Sequence, residues 1–330
     1  MDVDFPYSIY NRLQIIEQMN DLAHRHVPFL FLVDYKAERG YVIKMDELDK
    51  NYLRFDFLTS QPKRSELNSS FFWEPKPIEF DTFVGKFEQL VSQIKLGNSF
   101  LINLTQPTKI STNLSLLDFY NQGQAKYKLW LKDQFAVLSP ETFVKIEDGR
   151  IRSFPMKGTI DASLPNAEKT ILNDAKEKAE HATIVDLIRN DLSLVATDVK
   201  VKRYRYLDRI TTHQSSLLQV SSEIEGVLPD DYLSHLGDIL FSMLPAGSIC
   251  GAPKQKTLEI IESVEGYQRG FYTGVCGYFD GSKLDSAVMI RFLELSSEGL
   301  VYKSGGGITA LSEARKEYEE LIQKIYVPVY

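Results

Sequence analysis

Three short apolar runs separated by polar turns open the chain: FLFLVD at 29–34, YVIKM at 41–45 and LRFDFL at 53–58. Runs of that length predict strands, so the first 80 residues read as a strand-rich segment. From there the period changes. Phe83, Phe87, Leu90, Val91 and Ile94 fall at helical spacing and, with Asp81 as N-cap and Gly97 beyond the end, predict a helix over 81–96. SFLINLT (99–105), FAVL (135–138), FVKI (143–146) and IRSF (151–154) then read as sheet, the last two joined across Asp148-Gly149, a hairpin dipeptide. The longest helical stretch covers 166–191, and another covers 253–264. GFYTGVCGYF (270–279), LDSAVMIRFLEL (284–295) and LVYKSGGGI (300–308) predict three successive strands before a closing helix over 311–325. Strand pairs on short turns beside separate long helices predict an α+β fold with antiparallel sheet, not a βαβ alternation. No repeat, low-complexity tract or Gly/Ser linker divides the chain, and one domain over 1–330 is expected.

Composition narrows the function classes. The chain has 330 residues, 43% of them hydrophobic and 25% charged, enough to bury a sizeable core. A net charge of −7, without a basic stripe interleaved with aromatics, argues against a nucleic-acid partner. The apolar run PFLFLV (28–33) is too short to span a bilayer and lacks the flanks of a signal peptide, so no membrane role is expected. Two cysteines, Cys250 and Cys276, form neither a disulfide framework nor a CxxC metal site, and a reducing cytoplasm is the default expectation.

The charged residues raise sharper questions. Glu177, Glu180 and His181 fall on one face of the 166–191 helix, and Glu317, Glu320 and Lys324 on one face of the closing helix. Either set alone is ordinary solvated helix chemistry. Pointed into one cavity, four carboxylates would repel and need a cation, for which Mg²⁺ is suited by its preference for hard oxygen ligands. AGSICGAPK (246–254) lacks the spacing of a phosphate loop and SGGGI (304–308) is not GxGxxG, so nucleotide binding has no support. Both stretches do permit close backbone approach, and GAPK opens a helix with a positive dipole end. Arg291, at the inner end of an apolar strand, needs a carboxylate from the protein or from a ligand. Lys157 stands among apolar neighbours in FPMKGTI (154–160), an unusual setting for an ammonium group.

Taken in order, SPETF, PMKGT, EKAEHATIVDLIRND, LPAGSICGAPK, AVMIR, SGGGI and EYEELIQK resemble the chorismate-utilising enzymes, which include anthranilate, isochorismate and salicylate synthases and the synthase component of para-aminobenzoate formation. The resemblance covers about residues 81–330 and leaves 1–80 without a motif. It implies two large antiparallel sheets packed face to face with helices outside, and an active site between the sheets. In this family alanine occupies the Lys157 position of anthranilate and isochorismate synthases, whereas lysine there marks the aminodeoxychorismate synthase component I branch.

That branch implies a reaction in which the Lys157 amine attacks C2 of chorismate as the C4 hydroxyl leaves, and ammonia then attacks C4 and expels the lysine, giving 4-amino-4-deoxychorismate, a para-aminobenzoate and folate precursor. A lysine nucleophile must be neutral, and the apolar setting of Lys157 together with a neighbouring Mg²⁺ is expected to lower its pKa from about 10.4. By the same resemblance Glu141 is the acid that protonates the departing oxygen, and Glu177, Glu180, Glu317 and Glu320 hold Mg²⁺ on the ring carboxylate. Thr159, His181, Ser248, Arg291, Gly305, Gly306, Gly307 and Lys324 are the implied substrate contacts. Ammonia is expected from a separate glutamine amidotransferase subunit. Three positions depart from the family pattern: Leu101, where a polar residue is common, Gln219, where many relatives have histidine, and Cys250, where Ser or Thr is common. A leucine cannot activate water, which weighs against isochorismate chemistry. The rival readings are an anthranilate synthase component I and a catalytically silent binding subunit.

Overall fold

The computed structural model describes residues 5–57, 71–211 and 216–328. Among them the strands form two antiparallel sheets. The ten-stranded sheet runs from Tyr10–Asn11 through Arg39–Lys44, Phe29–Val33, Val275–Phe279, Leu284–Val288, Thr142–Glu147, Arg150–Ser153 and Ser216–Val227 to Met156–Asp161, with Thr197–Thr211 also paired to Ser216–Val227. The eight-stranded sheet runs from Gly251–Ala252 through Leu101–Thr112, Gly299–Ile308, Phe292–Ser296, Phe135–Ser139 and Tyr127–Leu131 to Leu53–Phe57, with Trp73–Lys76 on the long strand Leu101–Thr112.

The sheets stack face to face, as the resemblance implied, because their strands are apolar on both sides. In Phe29–Val33 every residue is buried: Leu30 and Leu32 face the inter-sheet core with Tyr127, Leu129, Leu131, Phe135 and Phe292, whereas Phe29, Phe31 and Val33 face the helices outside. A strand covered on both faces loses the period-2 alternation and becomes a continuous apolar run. Helices Arg12–His24, Ala175–Ser193 and Leu236–Ser242 cover the outer face of the first sheet. Helices Phe80–Lys95, Leu116–Gln122, Lys254–Glu265 and Ala314–Gln323 cover that of the second. The most apolar stretch, Tyr232–Cys250, is divided among a 3₁₀ turn (Tyr232–His235) and the helices Leu236–Ser242 and Gly247–Cys250, so it is not one continuous spanning helix.

Several expected elements are redrawn. The segment 12–24 is a helix, with an Asn11/Gln14 capping box and Ile15, Met19, Leu22 and Ala23 buried at helical spacing. The helix expected over 81–96 is Phe80–Lys95 with Glu79 as N-cap, making no side-chain cap, while Gly97 takes the left-handed backbone expected after its end. The stretch 166–191 is two helices, Ala167–Asn173 and Ala175–Ser193, because Asp174 turns its carboxylate onto the Glu177 N–H and caps the second. The hairpin Thr197–Thr211/Ser216–Val227 was not anticipated, since its strands carry many charges. LDSAVMIRFLEL is not one strand: Leu284–Val288 lies in the first sheet and Phe292–Ser296 in the second, and Arg291 turns the chain between them with φ 53°.

One buried ion pair ties the layers. Arg269 donates from Nε and Nη2 to both oxygens of Glu265 (2.8 and 2.6 Å), and also to the carbonyls of Ile249 (3.1 Å) and Asn103 (2.7 Å). Glu265 in turn accepts the Thr105 N–H at 2.8 Å, which joins the end of helix Lys254–Glu265 to the strand Leu101–Thr112. Arg269→Met leaves the buried Glu265 carboxylate without its paired guanidinium, so it is expected to lower the unfolding free energy by about 3–5 kcal/mol. Urea denaturation measures this, and a loss under about 1 kcal/mol would remove the clamp from the account.

Candidate active site

The chain crosses between the sheets twice at neighbouring points. Pro140 and Glu141 link Phe135–Ser139 of the second sheet to Thr142–Glu147 of the first, and Met289–Ile290–Arg291 make the return from Leu284–Val288 to Phe292–Ser296. Backbone hydrogen bonds hold the crossings together: Val288 N–H to the Glu141 carbonyl and Leu138 N–H to the Arg291 carbonyl, both 3.1 Å. Glu141 and Arg291 therefore enter the same cavity, of about 190 Å³, which is also lined by Leu101, Asn103, Lys157, Ser248, Gly305, Gly306, Gly307 and Lys324. Its other wall is apolar, formed by Phe143, Val144, Ile184, Ile188 and Leu192.

Lys157 lies on the strand Met156–Asp161, where the register shifts between Met156 and Thr159 and Gly158 has φ 80°. Its ammonium donates to Glu180 Oε2 at 2.7 Å. Burial pushes the amine toward its neutral form, yet the Glu180 carboxylate and hydrogen bond, with the fields of Glu320 and Glu177, outweigh burial and hold the pKa above the ordinary lysine value. Burial alone therefore does not free this amine while those carboxylates face it. The setting is apolar along the sequence and acidic in space.

The two glutamate-bearing helices do meet here. A Cβ built on Gly306 would lie 3.6 Å from Glu320 Oε1, 3.7 Å from Lys324 Nζ and 3.8 Å from Glu317 Oε2; one on Gly307 would lie 3.6 Å from Lys157 Nζ, and one on Gly158 3.1 Å from Glu177 Oε2. Bare glycine backbone is what lets these groups share one floor. Among the described residues no three carboxylates are drawn into one metal-ligand shell; Lys157 holds Glu180, and Lys324 holds Glu320 at 2.7 Å. Lys324 also donates to the Gly305 carbonyl at 2.9 Å. Burial dominates its balance, helped by Arg291 and Lys157 nearby, and its pKa falls below the ordinary value. Four hard-oxygen side chains around bare backbone are a donor set that suits a hard divalent cation.

Burial raises the Glu141 pKa, opposed by the Ser248 hydroxyl, which donates to Oε1 at 2.6 Å, and by Arg291, Lys157 and Lys324. A carboxyl whose pKa is raised by burial suits the work of a general acid. Ser248, expected to touch substrate, lines the cavity and donates to Glu141. Arg291 has no ion pair among the described residues, its Nε lacks a hydrogen-bond partner there, and its guanidinium faces the Tyr326 ring at 5.3 Å. A ligand carboxylate would satisfy it.

His181 is buried beside Glu180, with Nε2 2.7 Å from Ser222 Oγ. Ser222 Oγ also accepts the Arg205 N–H at 2.9 Å. Burial, followed by Arg205 and Lys157, lowers the His181 pKa to about 4, which favours the neutral imidazole. Its Nδ1 has no partner among the described residues, and His181 does not line the cavity. Thr159 pairs with Gln219 through the backbone, while its side chain lies outside the described residues. The GAPK stretch serves the fold: a Cβ on Gly251 would meet the Leu101 carbonyl at 1.8 Å, and Lys254 pairs with Asp191 at 2.7 Å. Asn103, whose Oδ1 has no partner among the described residues, lines the cavity and was missed, although it stands two positions along the strand from Leu101 and so on the same face.

The family described as chorismate binding enzyme matches residues 11–329. A PabA-like protein of Haemophilus influenzae is 47% identical over 319 residues, spanning 95% of this chain and 96% of that protein. The aminodeoxychorismate synthase component 1 of Salmonella typhimurium is 29% identical over 344 residues, 97% of this chain and 74% of that protein. Anthranilate synthase component I from Streptococcus pneumoniae has the same fold, with a TM-score of 0.67 at 22% identity over 98% of this chain and 81% of its own.

The Ser248 hydroxyl opposes the upward push on Glu141, so Ser248→Ala is expected to move the Glu141 titration to higher pH and Ser248→Thr to leave it in place. The protonated-carboxyl infrared band, assigned by its loss in Glu141→Gln, follows this directly. A band titrating unchanged in Ser248→Ala would show that the 2.6 Å contact does not tune Glu141.

Proposed function

The chain belongs to the chorismate binding enzyme family, and from that premise we propose that it is an aminodeoxychorismate synthase component I, aminating chorismate at C4 with ammonia from a partner glutamine amidotransferase. The observation that carries this reading is Lys157, whose amine stands over the bare backbone of Gly307 in the cavity that also holds Glu141 and the Arg291 guanidinium. Chorismate is a small dicarboxylate, and Arg291 and Lys324 supply cationic charge for it. Leu101 lies against Gly307 beside the Lys157 amine, 3.0 Å from a Cβ built there, which favours a dry approach to the ring over attack by an activated water.

Each step then has a residue. Lys157 first loses its proton, to water or to Glu180, 2.7 Å away, while that carboxylate is not engaged by a cation, and the free amine attacks C2. Both double bonds of the ring diene shift, away from C2 and toward C4, as the C4–O bond breaks, and Glu141 gives its proton to the departing oxygen, which leaves as water. Such acid assistance contributes on the order of 10² to 10⁴ in rate. Ammonia attacks C4, both double bonds shift back, and the C2–N bond to Lys157 breaks, returning the lysine. Glu177, Glu180, Glu317 and Glu320 are the residues that would hold Mg²⁺, which would supply neutralising charge for these carboxylates and for the ring carboxylate of the substrate. Both cysteines are buried free thiols, which supports a reducing compartment.

Anthranilate synthase chemistry is the second reading, favoured by relatives such as the anthranilate synthase component 1 of Aquifex aeolicus, 32% identical over 306 residues, 87% of this chain and 58% of that protein. The two differ in co-product. With chorismate, Mg²⁺ and ammonium, aminodeoxychorismate without pyruvate is expected by liquid chromatography with mass detection; anthranilate with pyruvate would replace this proposal by the second reading. Lys157→Ala is expected to lose at least about 10²-fold in turnover, and a trapped adduct to map to the peptide containing Lys157. Glu320→Gln is expected to weaken Mg²⁺-dependent chorismate binding, read by calorimetry at several metal concentrations; an unaltered metal dependence would take Glu320 out of the metal site.

A further inference from the structure

Ser248 sits in a four-residue helix, Gly247–Cys250, too short to hold itself in place. Its position is fixed from outside. Asp191, on the helix Ala175–Ser193, sets its buried carboxylate directly against the Gly247 backbone and pairs with Lys254 Nζ at 2.7 Å. Lys254 also donates to the Met243 carbonyl at 2.7 Å, so one ammonium joins the two ends of the segment that carries Ser248. Gly247 leaves no slack, since a Cβ there would lie 2.9 Å from both Asp191 Oδ2 and Leu187 Cγ. Glu141 is fixed independently, by the Val288 N–H on its carbonyl and by its own N–H on Ser139 Oγ at 3.1 Å.

We propose that Asp191 and Lys254 are positioning residues that hold the Ser248 hydroxyl against Glu141 and so set the proton affinity of the acid. The pair contacts neither Lys157 nor Arg291, and it acts through the segment it closes. The charged and titratable groups facing Glu141 are Arg291, Lys157, Lys324 and the Tyr272 phenol, whereas Lys254 is bonded to Asp191 and the Met243 carbonyl. The catalytic meaning rests on the proposed function, but the positioning itself does not.

The test uses the full chain without substrate. In Lys254→Met the Glu141 infrared titration is expected to move to higher pH, as in Ser248→Ala, and the double variant Lys254→Met/Ser248→Ala is expected to show no further movement. Lys254→Arg, which keeps the charge, is expected to restore most of the wild-type titration. A Lys254→Met protein that is less stable but titrates Glu141 as wild type does, or a double variant in which the shifts add, overturns the proposal. If Lys254→Met does not fold, Asp191→Asn, which keeps the shape, is expected to give the same shift, and its absence there also overturns the proposal. Chorismate turnover by Lys254→Met is expected to fall about tenfold. No turnover by the wild type would count against the proposed function and leave the infrared result to decide the positioning.

Discussion

The two adjacent crossings between the sheets are the constraint on which the site depends. At each, a strand ends in one sheet and the next begins in the other, and the crossings share two backbone hydrogen bonds of 3.1 Å. Met289, within one crossing, is fully buried, and its backbone is paired accordingly: its N–H donates to the Gly274 carbonyl and its carbonyl accepts the Thr273 N–H, both at 2.8 Å. The residues at the bends, Glu141 and Arg291, face the cavity. The left-handed backbone of Arg291 is a local cost borne for that placement.

The same cavity explains how two distant helices meet. Each glutamate-bearing helix covers the outer face of a different sheet, as the apolar outer face of each sheet requires. Where the sheets part, the polar edges of both helices reach the gap from opposite sides. Glu177 and Glu180 arrive over Lys157 and Gly158, and Glu317 and Glu320 over Gly306. The glycines matter because side chains there would fill the volume the carboxylates share.

Charge at this meeting point is balanced, but unevenly. Lys157 is held protonated by carboxylates, whereas burial and two neighbouring cations push Lys324 the other way. Two lysines in one cavity thus differ in proton affinity because of what lies within a few ångströms. The same reasoning separates Glu141, pushed up by burial, from the exposed carboxylates of the surface.

The sequence by itself determined the residue types, the period of most elements and, through seven motifs in order, the family. Those features are local, and a period or a motif survives without knowledge of the fold. Even a miss such as the first helix had its signal, since Asn11 and Gln14 form a capping box. The break at Met289–Arg291 had none: both halves of LDSAVMIRFLEL are apolar, no Gly or Pro marks the bend, and only the covering of two separate sheets decides it. The charge state of Lys157 was equally out of reach. Its sequence neighbours are apolar, but its pKa follows from a carboxylate 23 positions away in the chain and 2.7 Å away in space, and electrostatic energy depends on the second distance.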